Sequence, residues 1–175
     1  MKEVRPTSGR VLLALFNILE SMKGRSGEAS FLDLFSGTGR VGLEALSRGA
    51  APVVMVETLK DRSRKIEGAI PSRHAEDATV LSLELRRALA WLIKREQTFD
   101  IVFADPPYNE GWGASLLQEK HLHKVLKYDG IMVVEHASRE TLAIFSPWVV
   151  TEARAYGETT LTFLRLEAAE TEESS

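Results

Sequence analysis

The chain contains no cysteine among its 175 residues. Disulfides, thiolate metal sites and cysteine nucleophiles are therefore excluded, and a reducing, cytoplasmic setting is expected. Long apolar runs are also missing. None is long enough to span a bilayer, and the first residues lack the apolar core of a signal peptide, so no membrane association is expected. Net charge is small, at -3, which excludes a general polycation. A nucleic acid would have to be gripped by a local patch. Histidine is scarce and scattered, at His74, His121, His123 and His136. The middle two are spaced i, i+2, do not share a helix face, and give no metal site. No internal repeat or low-complexity stretch appears.

What is present is ordinary globular material. Hydrophobic residues make up 44% and charged residues 27%, which rules out wholesale disorder. Charge is uneven along the chain. Up to Gly27, Lys2, Arg5, Arg10, Lys23 and Arg25 face only Glu3 and Glu20; from Glu152 onward six glutamates face Arg154 and Arg165. The basic start is the better candidate for a phosphate backbone. The acidic end reads as a solvated tail.

Periodicity gives a helix over 11–22, with Leu12, Leu15, Phe16 and Leu19 on one face and Ser8 or Thr7 as its cap. Strands are predicted at 30–35, 52–57, 79–83, 99–104 and 131–135, and helices at 42–48, 61–69, 85–95 and 115–126. Two final strands are predicted at 148–156 and 160–166, around Gly157. Alternating apolar strands and helices predict an α/β fold, a doubly wound and mostly parallel sheet with an antiparallel C-terminal pair. Ligands of such sheets lie beyond the carboxyl ends of the strands.

Two segments there carry chemistry. After the first strand, Gly37, Gly39 and Gly42 form GxGxxG, where glycine permits a sharp turn and brings backbone N–H groups against a ligand. Glu57 closes the second strand 20 residues after Gly37, a spacing that suits a carboxylate accepting from a ribose diol. Alone, this fits a nicotinamide dinucleotide as well as S-adenosylmethionine. After the fourth strand comes Asp105-Pro106-Pro107-Tyr108. The two prolines stiffen the loop and remove two N–H donors, and Tyr108 offers a face on which a base can stack. An exocyclic amine becomes nucleophilic as its nitrogen turns pyramidal. The Asp105 carboxylate and the Pro106 carbonyl supply two acceptors that favour that shape. Trp112, in the loop just beyond, suits either substrate contact or packing. The second segment favours S-adenosylmethionine and amine methylation.

The combination of RPTSGRVLLALFNIL from Arg5, FLDLFSGTGRVGLEALSRGA from Phe31 and DIVFADPPY from Asp100 resembles the bacterial small-subunit ribosomal RNA guanine-N2 methyltransferases, the RsmD-like family. The resemblance spans about Arg5 to Leu166. It implies a Rossmann-like class I methyltransferase using S-adenosylmethionine and acting on ribosomal RNA or the small subunit. It further implies that Asp33, Ser36, Gly37, Thr38 and Gly39 line the methionine end of the cofactor, with Glu57 at the ribose. Glu84 is the best match to an acid near the adenine. Asp105 to Tyr108 would hold the base, while Arg5, Arg10 and Asn17 meet substrate and help close the site. The chain then divides into an N-terminal arm and helix (1–27), the methyltransferase domain (28–167) and an acidic tail (168–175); a monomer is expected. The family usually has an Arg- and Gly-rich β-hairpin ahead of Arg-Pro-Thr, where this chain has Met1 to Val4. It often carries an acid where Gly9 stands, and charged residues where Leu12 and Leu13 stand.

Three other readings compete. An adenine-N6 methyltransferase on DNA or RNA uses the same acidic diproline loop. DNA-modifying members generally carry a target-recognition domain, for which this chain has no room. A nicotinamide-dependent oxidoreductase would leave the diproline loop without a role. A non-catalytic module would not need that loop intact. Pyrimidine-C5 methylation is set aside, since it normally needs a cysteine.

Overall fold

The computed structural model describes residues 7–23 and 28–168. Arg5, Arg25, the side chain of Lys23 and the tail beyond residue 168 lie outside the described residues.

Seven strands assemble into one sheet. Strands β1 (Phe31–Leu34), β2 (Val53–Val56), β3 (Ala78–Leu81), β4 (Phe99–Ala104) and β5 (Leu126–Ala137) run parallel. The last two, β6 (Trp148–Tyr156) and β7 (Thr159–Leu166), are antiparallel, β7 lying against β5. The order is β3-β2-β1-β4-β5-β7-β6. Strands β1, β2 and β4 at its centre are buried almost throughout, while the edge strands β3 and β6 are more exposed. The chain therefore winds outward from β1 to β3, then returns to place β4 on the other side of β1. This reversal opens a crevice at the carboxyl ends of β1 and β4. At the opposite end, Ser30 donates through its N–H and hydroxyl to Asp100, at 3.0 and 2.9 Å, and pins β1 to β4.

Strand residues alternate between two cores, as a period of two requires. Phe31, Val53, Met55, Ile101, Phe103, Ile131 and Val133 pack beneath α1 (Gly9–Lys23), α2 (Arg40–Ser47) and α3 (Lys60–Ala69). Leu32, Leu34, Val54, Val56, Val102, Ala104, Met132 and Val134 pack beneath α4 (Leu85–Lys94) and the segment 116–126. The doubly wound sheet with an antiparallel C-terminal pair is thus present as predicted. Helix α1 seats Leu15, Phe16 and Leu19, each at most 1% exposed, on the first face. Burial of each such side chain is worth about 1.5–3 kcal/mol. Ser8 is its cap, accepting the Val11 N–H at 3.3 Å.

One predicted element is corrected. Residues 115–126 do not form a continuous helix. They break into the end of a four-residue turn of helix, α5 (Trp112–Ser115), and two 3-10 turns, at Leu116–Gln118 and Leu122–Val125. Leu116, Leu117, Leu122, Val125 and Leu126 are buried all the same. Their spacing satisfies a helical stripe and a pair of tight turns equally well. Strand β5 also begins earlier than residue 131, because Leu126 pairs with Phe99 before a register shift leads to Ile101 and Ile131.

Candidate active site

The alternation that sorts the cores also sorts the residues at the strand ends. Odd-numbered positions of β1, β2, β4 and β5 face α1–α3. Continued towards the ends, they give Asp33 in β1, Glu57 and Asp105 just past β2 and β4, and Glu135 two residues before the end of β5. Four carboxylates from four adjacent strands therefore line one edge of the sheet, in the spatial order Glu57, Asp33, Asp105, Glu135.

The glycine loop folds around the first two. Phe35, Gly37 and Gly39 all take left-handed backbone angles, with φ of 57°, 58° and 78°. The two glycines do so without steric cost. Phe35 is held there with its ring edge-on to Trp112, centroids 5.1 Å apart. The Gly37 N–H donates to Glu57 Oε2 at 2.9 Å, and the Leu59 N–H donates to Glu57 Oε1 at 2.9 Å. Glu57 thereby ties the loop to the start of α3, while each oxygen keeps a lone pair for a further donor. The Gly42 N–H, in the first turn of α2, donates to Asp33 Oδ2 at 3.0 Å, and the Ser36 hydroxyl donates to the Asp33 carbonyl at 2.9 Å. Gly42 permits this approach. A Cβ there would stand 2.4 Å from Met55 Cγ and 3.2 Å from Asp33 Oδ2.

Electrostatics follow from burial without a cation. Asp33, 1% exposed, is pushed up to about 7. Burial is the main cause, the Gly42 and Ser36 hydrogen bonds oppose it, and Glu57 and Glu135 add repulsion. Asp105 lies well above the usual carboxylate range, through burial first and then the charges of Glu135 and Asp33. Glu135 is raised by burial, against the hydrogen bond from Thr7. Among the described residues the Asp105 carboxylate accepts no hydrogen bond. Such a row is a receptor for cations and N–H or O–H donors. It is hostile to a pyrophosphate.

The structure thus gathers Asp33, Ser36, Gly37, Gly39, Glu57, Asp105 and Pro106 around one crevice. Thr38 projects to solvent at the top of the loop, Pro107 is exposed, and Tyr108 is half-buried beside it. Glu84 is exposed at the N-cap of α4, three residues past the end of β3. Arg10, in the first turn of α1, and Asn17, two turns further along it, are both exposed. Seven positions apart, they share one face of the helix, with Asn17 about 10 Å further along its axis.

Sequence reasoning missed three residues. Thr7, buried, donates its hydroxyl to Glu135 Oε2 at 2.9 Å, and Arg40 Nη1 donates to the Thr7 carbonyl at 2.6 Å. The segment leading into α1 is therefore stitched across the crevice, from the start of α2 to the end of β5. The available signal was that β5, like β1, β2 and β4, carries an acid in or just after its last residues. Beside Glu135 lies a cavity of about 220 Å³, walled by Pro106, Pro107, Trp112, Glu140 and Thr141 among others. His136 borders it but is committed. Its Nδ1 donates to the Ala137 carbonyl at 3.0 Å, which leaves Nε2 to accept from the Thr162 hydroxyl at 2.8 Å. Among the described residues no group of three histidine, aspartate or glutamate side chains is arranged to hold a metal ion, and no helix is long and apolar enough to cross a membrane.

The model of the family described as "Conserved hypothetical protein 95" matches residues 1–165. The chain belongs to this family, the RsmD-like methyltransferases. It is 34% identical over 164 residues to YlbH of Bacillus subtilis, named as a candidate rRNA methyltransferase, covering 89% of this chain and 84% of that one. It is 27% identical over 150 residues to ribosomal RNA small subunit methyltransferase D of Buchnera aphidicola, covering 84% and 74%. The structure of SMU.776, a chain titled as a methyltransferase and complexed with S-adenosylhomocysteine, superposes with a TM-score of 0.66 at 13% identity, covering 87% of this chain and 48% of that one. That likeness is one of fold, and the sheet is that of the class I methyltransferases. Within this RsmD-like fold, the crevice between β1 and β4 is where the acid row lies.

Proposed function

We propose that this RsmD-like protein uses S-adenosylmethionine to methylate the exocyclic N2 amine of a guanine in small-subunit ribosomal RNA. The observation that carries the reading is the row Glu57, Asp33, Asp105, Glu135, with Asp105 half-buried and the other three buried, and without a cationic partner among the described residues. S-adenosylmethionine brings a sulfonium, an ammonium and a ribose diol, and its sulfonium makes the methyl group electrophilic. Those groups match acceptor-only carboxylates. A nicotinamide dinucleotide would bring two phosphate charges to the same acids and is disfavoured. The names of the relatives support ribosomal RNA as the substrate.

The residues take the following parts. Glu57 accepts from the ribose hydroxyls. Asp33, Ser36, Gly37, Thr38 and Gly39 hold the methionine end, and Glu84 faces the adenine side. Asp105 and the Pro106 carbonyl accept the two N–H groups of the target amine and favour a pyramidal, nucleophilic nitrogen. Pro107 stiffens the loop, and Tyr108 stacks on the base, which must leave its helix to reach the crevice. Catalysis here is positioning and charge stabilisation. The proton is lost after transfer, so Asp105 need not be a strong base. Arg5, Arg10 and Asn17 meet the RNA from the N-terminal side.

The experiment is methyl transfer from S-adenosylmethionine labelled in its methyl group to unmodified small-subunit particles, to their naked RNA and to duplex DNA. Label is expected in RNA alone. The substitution Asp105→Ala is expected to lower kcat at least 100-fold with cofactor affinity changed less than threefold. Label in DNA, or undiminished turnover by Asp105→Ala, would overturn the reading.

A further inference from the structure

The acid row has one member more than that account uses. Glu135 is only 4% exposed. Its Oε2 accepts the Thr7 hydroxyl, while its Oε1 accepts no hydrogen bond from the described residues. Ala104 and Val134 are paired in register, so Asp105 and Glu135 each stand one residue past the same rung, on adjacent strands and toward the same face. Glu135 also lines the cavity bounded by Pro106, Pro107 and Trp112. Asp105 does not line that cavity, but it stands beside Glu135 at the neighbouring strand end, close enough for the two charges to act on each other.

We propose that Glu135 is a base-reading residue, accepting the N1–H of guanine while Asp105 accepts an N–H of the adjacent N2 amine. The inference rests on the guanine reading above and names the group that enforces it. Burial holds protons on these acids in the ligand-free protein, the cationic cofactor favours their ionised form, and ionised carboxylates only accept. The guanine N2 amine has a donor, N1–H, beside it, so two adjacent acceptors meet two adjacent donors. The adenine N6 amine lies between N1 and N7, both lone-pair acceptors, and either would be pressed against a carboxylate. A buried polar group left unpaired by the wrong base is a strong discriminator. Thr7 fixes the carboxylate in place, and Arg40 fixes Thr7. The N-terminal segment therefore helps set base identity without touching the base.

The test compares the target RNA, its site first mapped, with the same RNA carrying 2-aminopurine at that position. This analogue keeps the 2-amine but presents a lone pair at N1. The native protein is expected to prefer guanosine in kcat/KM by about 10- to 100-fold. Glu135→Gln, nearly isosteric, is expected to lose about 10- to 100-fold on guanosine. On 2-aminopurine it should lose little or gain, because the amide can donate to N1, so the preference collapses. Calorimetric binding of S-adenosylmethionine within about twofold of the native value shows that the variant is folded. Equal losses on both bases would make Glu135 a structural residue and overturn the proposal. So would an unchanged preference, or a native protein that does not distinguish the two. Methylation of adenosine in place of guanosine would overturn the guanine reading as well. Methylation of guanosine with a preference indifferent to Glu135→Gln would overturn this proposal alone.

Discussion

Asp33 is the residue on which stability and function pull apart. Its carboxylate is buried and its proton held up to about 7, from an ordinary value of 3.8. The folded state therefore binds this proton more tightly than the unfolded chain does. Nothing is lost below pH 4, where both states are protonated. Stability falls as pH rises from about 4 to about 7, and above that the penalty is complete. The shift corresponds to at most about 4 kcal/mol. A cationic ligand reverses the balance by favouring the ionised form. Asp33→Asn keeps an acceptor for the Gly42 N–H and removes the charge. It is expected to stabilise the ligand-free protein by about 1–3 kcal/mol at pH 8, and by less at pH 5. The same change should weaken S-adenosylmethionine binding at least tenfold. Thermal melts at the two pH values and calorimetric titration check both halves. A variant less stable than the native protein at pH 8, or one that binds the cofactor normally, would contradict this account of the site.

At the scale of elements, the glycine loop and the first turn of α2 must lie hard against β2. Gly42 is the contact that allows it. In Gly42→Ala the new methyl group meets Met55, which can yield, and Asp33, which is fixed by its own hydrogen bonds. Overpacking of this kind is expected to cost about 1–3 kcal/mol, and displacing Asp33 should weaken cofactor binding as well. Urea unfolding with parallel calorimetry reads the two effects, and an alanine variant of unchanged stability would refute the packing argument. Elements of this kind were legible in the sequence. Runs such as 53–56 can only be buried strands, and a glycine loop between strand and helix has few other meanings. The segment 115–126 was not legible, because buried leucines at 116, 117, 122 and 126 fit helix and 3-10 turns alike. The pairing of Thr7 with Glu135 was hidden for a different reason. It joins residues 128 positions apart, and no local pattern encodes such a meeting.

For the whole molecule, the governing feature is one edge of a sheet whose strands β2, β1, β4 and β5 present acids from the same face. With a net charge of -3, bulk attraction would not hold the proposed RNA substrate, so its recognition would have to come from a local grip and from the site itself. Two parts of the chain meet at that edge. The loop after β1 suits a cationic cofactor, and the loop after β4 suits a flipped base with donors on its edge. The N-terminal segment closes over both through Thr7 and Arg40. The central claim is that this edge delivers a methyl group to guanine N2. The most direct measurement is nucleoside mass spectrometry of small-subunit RNA after incubation with the protein and S-adenosylmethionine deuterated in its methyl group. The account predicts that the label appears in N2-methylguanosine. Label in N6-methyladenosine, or none in any nucleoside while the cofactor still binds, would contradict it.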